Sequence, residues 1–401
     1  MPYYSYCLRD SALPSFECNM EYMGVSAVPL TLVYIEVPPM FTADDHRIMT
    51  QALRLAERGL FTTTPNPRVG CVIVKDGKII GEGWHERAGG PHAEVYALRQ
   101  AGDAAQGADV YVTLEPCSHH GRTPPCALAL VGAGVRRVVA AMRDPNPRVA
   151  GGGFTLLESH GIETRSGLME KEAQQLNPGF DSRMTRGRPW VTVKVAASLD
   201  GRTALANGVS QWITGSAARS DVQRWRARSC AILTGIGTVL ADDPQMTVRE
   251  FDIGRQPLRV VVDSHLRIPL RSKILQGGKT VIACLAGQEE KAASLRASGV
   301  VVLELPASDG HVCLASLMQA LAAQEINEVL VEAGTLLNGA LLQAGLVDEM
   351  VLYYASTLLG NDARGMFGMP ALTEMAQRVD LDILGLDQIG RDIRVRARPR
   401  R

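Results

Sequence analysis

The sequence predicts an α/β protein of two domains, and three observations carry that reading. Apolar strand-like runs alternate with amphipathic helical runs in two separate series. Between the series, residues 177–189 form a polar, basic stretch holding Gly179, Gly187 and Pro189, which marks a boundary near residue 186. The length of 401 residues exceeds the roughly 100–200 of a typical single domain. The domains so divided are 40–185 and 186–401. Ahead of them, residues 1–39 show no helical or strand period and no Lys, and read as an extension that is disordered or precedes a true start at Met40.

Each element follows from local pattern. Thr42-Ala43-Asp44-Asp45 caps a helix at 46–58, with Ile48, Ala52, Leu55 and Ala56 at helical spacing and Gly59 as its stop. Strands at 69–74 and 78–81 flank Asp76-Gly77, a strong hairpin dipeptide. A helix at 92–101, a strand at 108–113, a helix at 127–132 and a strand at 135–141 follow, then the break Gly151-Gly152-Gly153 and a short helix. In the second series, strands are expected at 190–196, 231–234, 258–262, 280–284, 300–305, 328–332 and 349–355, with helices at 216–228, 315–324 and 336–344. Such alternation predicts mainly parallel sheets.

Composition narrows the function. With 46% hydrophobic and 21% charged residues the chain builds an ordinary core, which excludes a fibrous or disordered protein. Its 42 basic and 42 acidic side chains leave no net field to hold a nucleic-acid backbone or an anionic membrane. The best apolar stretch, 24–41, is broken by Pro29, Glu36, Pro38 and Pro39, so no membrane span is expected, and the N-terminus lacks the pattern of a signal peptide. The chain therefore reads as cytoplasmic. Eight cysteines scattered through it (Cys7, Cys18, Cys71, Cys117, Cys126, Cys230, Cys284 and Cys313) suit metal ligation better than a disulfide framework.

The most informative residues are His92-Ala93-Glu94 and, after a helix and a strand, Pro116-Cys117 and Cys126. One imidazole and two thiolates make a three-ligand zinc site with an open fourth position for water, and Glu94, two residues from its ligand, can carry the water's proton to a leaving amine. That is the chemistry of hydrolytic deamination, and its general signature is His-x-Glu followed by Pro-Cys-x-x-Cys. Pro116 is expected to open a helix whose N-terminus favours the Cys117 thiolate. The segment between the cysteines is longer than the general signature and adds His119, His120 and Arg122, which read as a phosphate clamp or as a solvated loop.

The second series is less decisive. No Gly-x-Gly-x-x-Gly joins its first strand to a helix. Gly235-Ile236-Gly237-Thr238 follows a strand, but Asp242-Asp243-Pro244 ends any long helix there. Glu332-Ala333-Gly334-Thr335 follows an apolar strand and opens a helix, either to receive a phosphate on its N–H groups or as a plain turn. Lys194, set in an apolar strand, is expected in a cleft.

Pro65-Asn66-Pro67, Gly81-Glu82-Gly83-Trp84-His85, His92-Ala93-Glu94 and residues 114–126, including the long segment between the cysteines, closely resemble the bifunctional riboflavin biosynthesis deaminase-reductase family. The resemblance continues through residues 194–202, 210–214, 238–244, 262–264 and 331–334. It implies an N-terminal cytidine-deaminase-like α/β/α zinc domain and a C-terminal dihydrofolate-reductase-like α/β domain. It further implies a pyrimidine ribotide substrate, deaminated first and then reduced at its ribosyl side chain by NADPH. Carried over, the zinc ligands are His92, Cys117 and Cys126, with Glu94 catalytic. Asn66 and His85 would touch the base, and His119 and Arg122 the phosphoribosyl end. Ala196, Trp212, Thr238, Asp242, Ser264 and Gly334, Thr335, Leu336, Leu337, Asn338, Gly339 and Ala340 would line NADPH. Ser210, Arg226, Met246, Arg249 and Glu332 would hold the reductase substrate, Arg226 and Arg249 at its phosphate. Trp212 as a core aromatic, Arg226 as an exposed helix charge and Asp242 as a turn cap are the competing readings of those residues.

The expected partners are that small molecule and a second copy of the chain, a dimer being favoured, with no nucleic acid and no membrane. Two other functions remain: a nucleic-acid base deaminase with an accessory binding domain, and a deaminase fused to a degenerate nucleotide sensor.

Overall fold

The computed structural model describes residues 40–118, 125–147 and 149–400. The extension over 1–39 lies outside the described residues. The first helix, α1 (Ala43–Glu57), opens on a complete capping box: Thr42 Oγ1 accepts from the Asp45 N–H at 3.1 Å, and Asp45 Oδ2 accepts from the Thr42 N–H at 2.8 Å. Strands β1 (Gly70–Lys75) and β2 (Lys78–Trp84) form the expected hairpin, with Asp76 at φ 50° and Gly77 at φ 73°, the left-handed pair a tight turn demands. Then come α2 (Ala93–Ala101), β3 (Asp109–Val112), α3 (Cys126–Gly132), β4 (Arg137–Ala140), α4 (Gly152–Ser159), β5 (Glu163–Ser166), α5 (Glu170–Leu176) and α6 (Pro178–Arg186).

The first sheet has the order β2-β1-β3-β4-β5. β1 runs antiparallel to both neighbours, and only β3, β4 and β5 run parallel, so this sheet is mixed rather than mainly parallel. Its residues alternate between two cores. Cys71 and Ile73 pack towards α2, α3 and α4, whereas Val72 and Val74 pack towards α1, α5 and α6. The stretch expected as a linker is helical: α6 has Pro178 in its first turn and Gly187 at φ 65° beyond its end, the usual proline-in, glycine-out asymmetry. Phe180, on α6, joins the core under β1.

Close approach places α2. A Cβ on Gly81 would stand 2.2 Å from the Ala97 carbonyl, and one on Gly83 would stand 2.3 Å from that of Ala93. The Gly-Glu-Gly of β2 thus lets the helix lie flush on the sheet, which brings its first turn, with His92 and Glu94, to the end of the barrel-free open sheet.

In the second series, β6 (Trp190–Ser198), β7 (Arg202–Ala204), α7 (Ser216–Arg228), β8 (Ala231–Gly235), α8 (Ile236–Asp242), β9 (Leu258–Val262), β10 (Thr280–Cys284) and α9 (Glu289–Ala297) come first. They are followed by β11 (Val301–Glu304), β12 (Ala307–Ser308), β13 (His311–Val312), α10 (Leu314–Ala323), β14 (Glu328–Val331), α11 (Thr335–Gln343), β15 (Glu349–Ala355), β16 (Arg364–Gly365), β17 (Leu381–Ile389) and β18 (Asp392–Pro399). Nine of these strands form a sheet of order β11-β10-β9-β8-β14-β6-β15-β18-β17. From β11 to β15 every pairing is parallel, as expected, and the last two strands add antiparallel at the edge. Val191, Val193 and Val195 pack with α10 and α11, and Leu330, Val351 and Tyr353 pack with α7 on the other side. Among the described residues, no helix is long and apolar enough to cross a membrane.

Candidate active sites

A cavity of about 830 Å³ opens beside the first turn of α2. His92 and Glu94 line it together with Cys117, and Cys126 starts α3 immediately behind. One donor atom from each of His92, Cys117 and Cys126 lies within 4.8 Å of the others. His92 Nδ1 is 3.2 Å from Cys126 Sγ and 3.6 Å from Cys117 Sγ. Glu94 is 3% exposed, and its Oε2 is buried with no hydrogen-bond partner among the described residues. A soft N/S donor triad beside an orphaned carboxylate oxygen fits a zinc ion with a water in its open position.

Cys117 does not stand at the start of a helix, as Pro116 suggested, but in an irregular segment. The helix that reaches it is α3, whose first residue, Cys126, donates its backbone N–H to Cys117 Sγ at 3.3 Å. Hydrogen bonding from the Cys126 thiol, with help from His92 and that N–H, outweighs burial and pulls Cys117 down to about 4. Cys126 is pushed up correspondingly.

Asn66 and His85 belong to the same cavity and touch each other, Asn66 Nδ2 lying 3.0 Å from His85 Nε2. His85 Nδ1 faces the Pro91 carbonyl at 2.9 Å, and burial lowers the ring's pKa, so the ring is neutral with its proton on Nδ1. Nε2 then accepts from the Asn66 amide, which turns Asn66 Oδ1 away from His85. His119 and Arg122, expected at the phosphoribosyl end, lie outside the described residues.

Several pocket residues escaped the sequence. Glu115, 3% exposed, accepts from the N–H groups of Asp144, Gly151 and Gly153 at 3.2, 3.0 and 2.9 Å, and so ties the loop carrying Asp144 and Asn146 to the Cys117 segment. It directly precedes Pro116-Cys117, where an acid beside a proline is a readable signal. Arg183 and Met184 come from α6, and Gln319, Ala322 and Glu325 come from α10 and its exit, in the other half of the chain. No local pattern announces those.

The second site gathers at the C-terminal ends of parallel strands, where open α/β sheets bind ligands. Glu332 follows β14, Thr238 and Asp242 follow β8, Ser264 follows β9, and Ala196 lies near the end of β6. Gly334 caps α11 without any side-chain hydrogen bond, and Thr238 Oγ1 would be 4.0 Å from a Cβ built on it. Lys194 lies in this group as expected, its Nζ 3.7 Å from Glu332 Oε2. Arg226 Nε meets Glu332 Oε1 at 2.6 Å and Nη2 meets Oε2 at 3.1 Å, while Nη1 donates to the Thr247 carbonyl at 3.0 Å. Burial acts to raise the Glu332 carboxyl, but Arg226 and Lys194 outweigh it and hold it at about 2. Arg226 is therefore not an exposed helix charge.

Other residues fall unevenly. Trp212 is 72% exposed with the Arg219 guanidinium 4.8 Å over its ring, so it is no core aromatic. Asp242, Arg249, Leu336 and Ala340 are exposed, and Ser210, Thr335 and Leu337 are half-buried. Met246 is buried against Arg226. Ser264 is buried and its hydroxyl accepts from the Val312 N–H at 3.1 Å. Asn338 and Gly339 are buried against the segment after β16: Asn338 donates to the carbonyls of Ala333 and Met366 at 3.2 and 3.3 Å, and Gly339 packs on Gly368.

A sheet carrying a His/Cys/Cys centre, joined to a parallel sheet with Lys194, Arg226 and Glu332 gathered at its strand ends, fits a zinc-type deaminase coupled to a reductase. Residues 42–142 match the family model described as cytidine and deoxycytidylate deaminase zinc-binding region, and residues 189–395 match the RibD C-terminal domain. The chain is 52% identical to riboflavin biosynthesis protein RibD of Escherichia coli (strain K12) over 362 residues, which cover 87% of this chain and 98% of that protein. A solved structure of Acinetobacter baumannii RibD superposes with a TM-score of 0.84 at 52% identity, covering 89% of this chain and 99% of that one. The structure titled diaminohydroxyphosphoribosylaminopyrimidine deaminase/5-amino-6-(5-phosphoribosylamino)uracil reductase, from Thermotoga maritima, gives 0.79 at 33% identity, over 89% and 99%. The chain belongs to the RibD family of riboflavin biosynthesis proteins and is a bifunctional deaminase and reductase. Both parts of the expected fold, cytidine-deaminase-like and dihydrofolate-reductase-like, hold, and the nucleic-acid reading is not favoured.

Proposed function

We propose that the cavity in the first half hydrolytically deaminates 2,5-diamino-6-ribosylamino-4(3H)-pyrimidinone 5′-phosphate. The second half then reduces the ribosyl side chain of the product, 5-amino-6-(5-phosphoribosylamino)uracil, to ribityl with NADPH. The observation that carries the first step is the orphaned Glu94 Oε2 beside the three donor atoms within 4.8 Å, in a cavity sized for a small ligand. His92, Cys117 and Cys126 would hold zinc, which when bound makes water a nucleophile at neutral pH. Glu94 takes a proton from the attacking water at Oε2 and delivers it to the pyrimidine amine, which leaves as ammonia while the ring carbon becomes a carbonyl. Asn66, held by neutral His85, offers Oδ1 to an N–H donor of the base. His119 and Arg122 complete the proposal at the phosphoribosyl end.

For the second step, the uncapped N-terminus of α11 at Gly334 and the neighbouring Thr238 support a site for the cofactor's diphosphate. Ala196, Trp212, Asp242, Ser264 and the rest of 334–340 surround it, with Asn338 and Gly339 acting as its support. Opening the sugar ring requires a proton at the ring oxygen, and Lys194, whose pKa burial lowers, is the titratable cation beside Glu332 to supply it. Because every Arg226 nitrogen is engaged within the protein, the exposed Arg249 takes the larger share of the phosphate, with Ser210 and Met246 on the same substrate.

The domains divide near residue 186. A dimer is favoured by the exposed apolar residues Leu372, Met375, Val379, Ile383, Leu384 and Leu386 on and before the edge strand β17, which light scattering will test. A cytoplasmic setting suits the free cysteines. The principal experiment incubates purified protein with the diaminopyrimidine ribotide and NADPH. Ammonia release lost on zinc chelation, followed by NADPH oxidation that depends on the deaminated product, is the expected result. NADPH binding without turnover would leave a sensor in place of a reductase.

A further inference from the structure

We propose that Asn327, in the second half of the chain, is a positioning residue for the deamination pocket of the first half. The proposal rests on the reading of that pocket given above. Asn327 directly precedes β14, is 5% exposed, and uses its amide at both ends. Nδ2 donates to the Pro65 carbonyl at 2.8 Å, and Oδ1 accepts from Arg183 Nε at 2.6 Å. Both partners are walls of the cavity that holds His92 and Glu94, and Pro65 is followed by Asn66.

The main chain of Asn327 is anchored on its own side. The Trp190 N–H donates to the Asn327 carbonyl at 2.8 Å, and a Cβ on Gly179 would stand 2.5 Å from the same oxygen. Asn327 is thus wedged between β6 and α6 and has no room to follow the segment it holds. The next residue, Glu328, grips Arg68 at 2.7 Å, so the stretch bearing Asn66 is pinned at two points from the reductase half. A planar amide is one of the few side chains able to offer a donor to a carbonyl and an acceptor to a guanidinium at once. Loss of either arm releases a wall of the pocket, and a displacement of about an ångström at a binding group is enough to cost catalysis substantially.

The test uses full-length Asn327→Ala and Asn327→Asp, with zinc content, melting temperature, deamination kinetics and reduction kinetics on supplied deaminated product. Asn327→Asp keeps the acceptor for Arg183 and sets an oxygen against the Pro65 carbonyl. Both variants are expected to lower deamination kcat/KM by about tenfold or more, with zinc content unchanged and reduction kcat/KM within about twofold. Because Asn327 holds both the Asn66 segment and Arg183, the triple variant Asn66→Ala/Arg183→Ala/Asn327→Ala is expected to deaminate no more slowly than Asn66→Ala/Arg183→Ala. Deamination within about twofold of the parent in both variants overturns the proposal, as does a proportional fall of both activities with unfolding, or full additivity in the triple variant. A parent enzyme that releases no ammonia in the same assay strikes the reading of the pocket instead.

Discussion

Glu94 Oε2 is buried at the mouth of the donor triad with no hydrogen-bond partner among the described residues, which leaves it placed to meet an attacking water. Glu94→Gln is expected to retain zinc, to fold at least as stably as the parent, and to lose deamination by about 10²–10⁴-fold while reduction continues. Metal analysis paired with ammonia release decides it. Glu332 makes a different prediction. Its carboxyl is held at about 2 in the folded chain against an ordinary 4.5, so its charge stabilises the fold above pH 4.5, and that contribution fades as pH falls towards 2. Denaturant titrations at pH 7 and pH 3 should show the parent losing about 2 kcal/mol more than Glu332→Gln over that interval.

Helix α11 presents its uncapped start to the proposed cofactor, but what sets its position is Gly339, where a Cβ would lie 2.2 Å from the Gly368 carbonyl. Gly339→Ala should lever the helix off the 366–368 segment, destabilise the protein by about 1–3 kcal/mol and raise the KM for NADPH more than it lowers kcat. Elements with a strong period and clear punctuation are legible in the sequence alone: α1 with its capping box, the Asp76-Gly77 hairpin and the buried parallel strands. Pairing direction was not, because β1 reads the same whether its neighbours run with it or against it. Residues 177–189 carry both helix-opening and helix-ending signals, and their polarity masked a nine-residue helix between them. β17 stayed hidden because a register shift between Ile383 and Gly385 breaks the alternation of its apolar residues. The metal triad and Glu94 were legible as spacing in one short segment. Arg183, Gln319 and Asn327 were not, since they reach the first pocket from helices and turns far away in sequence.

At the scale of the whole molecule, the two sheets are joined by charge as well as by packing. Glu328, buried, holds Arg68 at 2.7 Å and Arg228 at 3.1 Å, and Arg255 donates to the Phe61 carbonyl at 2.8 Å. Removing one member of such a buried pair strands the other, so Glu328→Ala should cost about 3–5 kcal/mol, read as a lower melting temperature. Both activities should fall with it, in contrast to the selective loss at Asn327. The wall that α10 lends to the first pocket also bears on how the chain evolves. Selection for a changed pyrimidine would be met partly by substitutions at Gln319, Ala322 and Glu325, inside the reductase. Splitting the gene at the boundary would leave the deaminase with a missing side, which a separate polypeptide would have to rebuild or cover with another surface.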